Sequence, residues 1–182
     1  MKKLLLSLCL LGGIAIIATA QTTARPASDL LKEAYQQASK ENKNVFVMFH
    51  ASWCGWCHKM DTSMNDVSCR QYFKDNYVIV HLVVNESKDK KQLENPGAEE
   101  LKTKYHGEGQ GIPFWLIFNK EGQLLADSKM RKSNEGPEAG ENTGCPASEK
   151  EVEYFVAVLK KTSVLSDEQE ILIRKRFRKN DN

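Results

Sequence analysis

Apolar positions along the chain change their period several times, and each change predicts an element. Leu31, Ala34, Tyr35 and Ala38 recur at helical spacing behind Pro26, Ser28 and Asp29. That pattern predicts a helix with Ser28 as its N-cap, ending near residues 41–44. Residues 45–49 form a continuous apolar, β-branched run, the signature of a short buried strand. Met60, Met64 and the residues to about Phe73 have the spacing of a broken or kinked helix. Residues 77–84 are again nearly all apolar, predicting a second strand buried on both faces. A polar, lysine-rich loop fills 85–95, and Pro96-Gly97 opens a helix to about Tyr105. After the flexible turn 107–111 and Ile112-Pro113, residues 114–118 and 123–126 are two strands joined by Asn119-Lys120-Glu121-Gly122, a hairpin signal. Residues 128–147 have no period and read as an inserted loop, a kind that is usually functional or mobile in a compact domain. Ser148 caps a helix with the stripe Val152, Phe155, Val156 and Leu159. A capping-box pattern at Ser166 and Gln169 starts a last helix to about Arg178. No internal repeat or domain boundary is visible.

The first twenty residues have a different character. Lys2 and Lys3 precede an apolar stretch, 4–17, that is short for a membrane span, and Ala18-Thr19-Ala20 is a small-residue cleavage site. The pattern predicts a cleaved signal peptide over 1–20 and an exported, periplasmic or otherwise extracytoplasmic protein over 21–182, without stable membrane insertion; an uncleaved anchor is the alternative. A lipoprotein signal at Cys9 is disfavoured, because Leu8 is bulky and Cys9 comes early. Removal of both lysines leaves 24 of the 26 basic residues against 24 acidic ones. That near-neutral balance argues against a nucleic-acid or anionic-membrane surface. About 160 residues suit one compact domain, and export places the remaining cysteines in an oxidising setting.

The chemistry concentrates at Trp53-Cys54-Gly55-Trp56-Cys57-His58, which leaves the first strand and opens a helix. A helix N-terminus offers unpaired N–H groups and a positive dipole end, both of which favour a thiolate. Cys54 is therefore read as the exposed nucleophile, with Cys57 a turn deeper as the sulfur that closes the bond. A zinc site would need two further ligands at chelate spacing, and Cys69, Cys145 and His58 do not supply them; no metal or cofactor is expected. A purely structural bond across so short a loop would stabilise little.

Strand, Trp-Cys-Gly-X-Cys, helix, strand, helix, Gly111-Ile112-Pro113, hairpin and helix, in that order, resemble the thioredoxin superfamily over roughly residues 28–162, leaving 163–182 as a C-terminal helical extension. Asn95-Pro96-Gly97 and Lys104-Tyr105 strengthen the likeness, and the run 49–60 is similar to exported bacterial members. The resemblance implies an α/β fold with a central mixed sheet flanked by helices. It implies thiol–disulfide oxidoreductase activity that reduces or exchanges protein disulfides, with exported protein thiols or disulfides and a further redox protein as partners. The alternative is a binding module or chaperone on the same fold. It also implies a cis Pro113 facing the cysteines, with the Ile112 backbone available to pair with an extended substrate strand; an ordinary trans proline at a strand start is the other reading. Met48 and His81 stand where the family has a buried aspartate and its companion lysine, which puts the proton route in doubt. His81 is either a base for Cys57 or an ordinary core or surface histidine. Trp53 and Trp56 are an apolar collar for unfolded-protein substrates or packing around the helix start. Besides Gly55 between the cysteines, His58 either adjusts the thiolates or is solvated, and His50 reads as a half-buried strand-end residue. Cys69 and Cys145 could form a second disulfide, although family topology places them at opposite ends of the domain. The basic cluster 174–179 is a solvated helix end or a docking surface.

Overall fold

The computed structural model describes residues 23–181, so the segment 1–20, expected to be a signal peptide, lies outside the described residues. Among the described residues six α-helices and six strands follow in the order α1 Ala27–Glu41, β1 Asn44–His50, α2 Gly55–Met64, α3 Arg70–Asn76, β2 Tyr77–Val83, α4 Ala98–Lys104, β3 Phe114–Phe118, β4 Leu124–Asp127, β5 Lys129–Met130, β6 Glu141–Asn142, α5 Glu149–Thr162 and α6 Asp167–Arg178. The main sheet has the order β2-β1-β3-β4. β1 runs parallel to β2 and antiparallel to β3, and β4 returns antiparallel to β3, so the sheet is mixed.

Side chains alternate across a pleated strand, and here the two apolar runs in the middle of the sheet feed two cores. Val45, Val47 and Phe49 of β1 join Phe114, Leu116 and Phe118 of β3 beneath α1 and α4. Phe46, Met48, Trp115 and Ile117 point the other way, against α2, α3, α5 and α6. Burial on both faces is why these strands lack polar alternation. The expectation fails for β2, which lies at the sheet edge. Its Ile79 and His81 are only partly covered, because only one neighbouring strand screens them.

One predicted helix start shifts, the expected helix break is present, and the inserted loop carries paired strands. Helix α1 is capped by Pro26 instead of Ser28, since the Pro26 carbonyl accepts the first helical N–H groups while Ala27 N–H donates to Pro96 O at 2.8 Å. The helix after the cysteines breaks at Asn65, and Asp66 holds the break by accepting from Ser68 N–H and Oγ–H at 2.9 and 2.6 Å. The inserted segment is anchored: β5 and β6 pair, and Lys129, fully buried, donates from Nζ to His106 O and Pro137 O. Gly140 permits that pairing, with φ +91° and room only for hydrogen, since a Cβ would lie 2.8 Å from the Met130 carbonyl oxygen.

The predicted capping box forms at Ser166/Gln169, and Ser148 caps α5 as predicted, completing a second box with Glu151. Helix α6 is part of the core. Phe177 is fully buried, with ring centroids 4.9 Å from Phe155 and 6.3 Å from Phe73.

Candidate active site

Cys54 stands where the chain stops being strand-like and becomes helix. Its backbone is extended, and it caps α2: its Sγ accepts from Cys57 N–H at 3.1 Å and its carbonyl from His58 N–H at 3.2 Å. Cys54 and Cys57 are joined by a disulfide with their Cα atoms 5.3 Å apart. The two sulfurs sit over Ala51 and Ile112. Cys54 was expected to be exposed, yet it keeps only 3% of its surface and Cys57 1%. Exposure belongs to the flanking indoles instead, Trp53 at 60% and Trp56 at 48%.

The loop between β1 and α2 is fixed by residues that the sequence pattern did not single out. Glu86, just past β2, turns its carboxylate under this loop and accepts from Ser52 N–H at 2.5 Å and Ser52 Oγ–H at 2.8 Å. The neighbouring Asn85 carbonyl accepts from Trp53 Nε1–H at 2.8 Å. His58 Nε2 lies 3.1 Å from the Ser52 carbonyl, so this ring braces the loop. Glu86 was read as part of a polar loop. The one available signal was a carboxylate two residues after a strand end beside the motif-bearing strand.

His81 is exposed and engaged by α2. It projects from the edge strand with its Nε2 2.8 Å from Asp61 Oδ1 on α2, and its ring meets His50 edge-on at a centroid distance of 5.3 Å. β2 being an edge strand is the physical reason: the face that would be interior in a central strand is here open to α2's polar side. His50 is half-buried, and burial followed by the neighbouring His81 pushes its pKa below the ordinary histidine value.

The Ile112–Pro113 bond is cis, and the Ile112 carbonyl oxygen lies 3.5 Å from Cys54 Sγ. Asn142 of β6 clips this turn from the other side, donating from Nδ2 to Gly111 O at 2.8 Å and Pro113 O at 3.0 Å. Between Trp56 and residues 141–147 runs a groove of about 400 Å³, also lined by Ile112 and Pro113. The inserted segment thus forms one wall of the site.

Cys69 and Cys145 are free and buried, so the second disulfide is not formed. Cys69 faces Leu172 of α6, whereas Cys145 faces Asn180, eight positions further along the chain. The two sulfurs thus have different partners, one on α6 and one in the turn that follows it. Burial raises the pKa of both thiols, that of Cys145 to about 12, and so favours their protonated forms. Among the described residues no cluster of histidine, cysteine and acidic side chains has metal-binding geometry, and no helix is long and apolar enough to cross a membrane.

No curated protein matches the chain. Among solved structures it is similar to a disulphide isomerase from Xylella fastidiosa Temecula1, at 22% identity and a TM-score of 0.45 over 56% of this chain and 72% of that one. It is also similar to a DsbH oxidoreductase, at 20% identity and a TM-score of 0.45 over 86% and 94%, and to a thioredoxin from Wuchereria bancrofti, at 22% identity and a TM-score of 0.34 over 46% and 66%. The sequence profile of the family described as Thioredoxin-like matches residues 27–120, just over half of the chain. With a disulfide-bonded Cys-X-X-Cys pair at the start of a helix flanking a mixed sheet, the chain belongs to the thioredoxin-like family.

Proposed function

We propose that the protein is an exported thiol–disulfide oxidoreductase that reduces or exchanges disulfides in other exported proteins. The observation that carries this reading is the Cys54–Cys57 disulfide at the N-terminus of α2, with Cys54 as the cap and an open groove beside it. In the reduced protein, the α2 N-terminus favours ionisation of Cys54. The Cys54 thiolate attacks one sulfur of a substrate disulfide: a Cys54–substrate bond forms, and the other substrate sulfur leaves as a thiolate that takes a proton. Cys57 then gives up its proton and attacks Cys54 Sγ, which releases the second substrate sulfur. Two electrons pass to the substrate, and Cys54–Cys57 is left oxidised. A dithiol redox protein must then return two electrons and two protons.

Export rests on the signal-like sequence of residues 1–20 and the single-domain reading of 21–182. The reducing or exchanging direction rests on the resemblance of Trp-Cys-Gly to reducing members of the family. Equilibration with glutathione at graded ratios tests this direction, with the dithiol followed by thiol alkylation. The expected potential is well below the strongly oxidising end of about −120 mV; a value near that end overturns the direction. The exposed Trp53 and Trp56 also suit a chaperone-like binding module. Replacing Cys54 and Cys57 together separates the two readings, because a binding module keeps its substrate affinity and cellular phenotype after that change.

A further inference from the structure

The two walls of the groove are tied together from behind by the turn Lys179–Asp181 that follows α6. Asn180 in this turn is buried, and its side-chain amide donates to Ser63 Oγ at 3.0 Å and Pro146 O at 3.2 Å, with Cys145 Sγ at 3.3 Å. Its Oδ1 accepts from Arg176 Nη1–H at 3.3 Å. Its backbone carbonyl accepts from Lys59 Nζ at 3.1 Å, and that ammonium group lies 4.3 Å from the centroid of the Trp56 ring. Arg178 adds a hydrogen bond to the Ala147 carbonyl. One residue therefore reaches Trp56, through Lys59, on one side of the groove and the 145–147 wall on the other.

The lining also indicates what the groove would hold. Asn142 occupies the Gly111 and Pro113 carbonyls, while the Ile112 carbonyl faces Cys54 Sγ. A backbone group beside the reacting sulfur suits strand-like pairing with an extended chain. The two charged residues lining the groove, Glu141 and Glu151, are both acidic. Glu151 is also engaged by the backbone N–H groups of Ala147 and Ser148, at 3.1 and 2.9 Å, which leaves Glu141 as the more available carboxylate.

We propose that the groove seats an extended polypeptide segment carrying lysine or arginine near its reacting cysteine, and that Asn180 is a positioning residue holding the two walls at the spacing this segment needs. The kinetic part of this proposal rests on the oxidoreductase reading; the binding part does not. The test is a tryptophan-fluorescence titration of the full chain with a short extended peptide that contains one lysine and has serine in place of cysteine. Asn180→Ala is expected to bind it about fivefold more weakly, the equilibrium effect of roughly one lost hydrogen bond. A peptide with glutamate in place of the lysine is expected to bind the unsubstituted protein about threefold more weakly. With a disulfide-bearing peptide as substrate, Asn180→Ala is expected to raise KM by about the same factor as the binding loss while kcat stays within about twofold, a split that general destabilisation would not give. Lys59→Met keeps the aliphatic stem over Trp56 and removes the donor to Asn180, so it should weaken binding in the same direction if Asn180→Ala does not fold. Unchanged peptide affinity in both variants overturns the proposal, as does absence of peptide binding by the unsubstituted protein. Equal affinity for the lysine and glutamate peptides overturns the charge match. Titration of the unsubstituted protein with glutathione, run alongside, reports separately whether the redox reading itself has failed.

Discussion

Glu86 offers the sharpest test of how the site loop is held. Glu86→Ala removes the two carboxylate oxygens that accept from Ser52, from its N–H at 2.5 Å and from its Oγ–H at 2.8 Å. Hydrogen bonds to a charged acceptor contribute about 1.5–3 kcal/mol each. Ser52 is exposed, so water satisfies its freed groups in the variant, which brings the expected loss of stability to about 2–4 kcal/mol for the pair. Glu86→Gln keeps the shape and one carbonyl acceptor for Ser52 N–H, and its amide can donate to Ser52 Oγ. Only the charge assistance is lost, so about 1 kcal/mol is expected. Urea unfolding of the oxidised protein, with Cys54–Cys57 intact in every sample, measures both values. The order is as informative as the size. A Glu86→Ala protein within about 0.5 kcal/mol of its parent would refute the reasoning. So would a glutamine variant as damaged as the alanine one.

Three further outcomes follow from the same geometry. Phe177→Ala empties a fully buried site between Phe73 and Phe155 and is expected to cost about 3–5 kcal/mol by denaturant unfolding; a loss below about 1 kcal/mol would mean that α6 is not part of the core. His50 has its pKa pushed below the ordinary 6.5, so the unfolded chain takes up its proton first as the pH falls. Stability is therefore expected to be lost on going down through 6.5, and His50→Phe should flatten that part of the curve measured by unfolding at graded pH. His81→Asn is expected to leave the pH profile of mixed-disulfide resolution unchanged in stopped-flow traces, because the ring is exposed and its partners are Asp61 and His50; a lost inflection near neutrality would restore His81 as the base.

Local chemistry made much of this protein legible in advance. The run 45–49 read as a buried strand and 114–118 as one arm of a hairpin, and the Cys pair between strand and helix announced the site. Ser148 and Ser166 announced two helix starts, since a capping box is complete within four residues. What stayed hidden depends on contacts between distant parts of the chain. The edge position of β2, and with it the outward turn of His81, is a matter of strand order that no single run encodes. Glu86 reaches back 34 positions to Ser52, and Asn180 reaches 117 positions to Ser63. Each looked like an ordinary polar residue in a polar stretch. Cys69 and Cys145 illustrate the converse: the sequence allowed a bond, while packing places one thiol against Leu172 of α6 and the other against Asn180 in the turn after it.

Trapping with Cys57→Ser tests the central claim most directly. Without the resolving sulfur, the protein should accumulate a mixed disulfide at Cys54 with exported substrate proteins, visible as reductant-sensitive adducts whose linkage site is read by mass spectrometry. The account predicts adducts at Cys54 that are absent when Cys54 is also replaced. It is contradicted if no disulfide-linked protein is recovered, or if the linkage maps to Cys69 or Cys145.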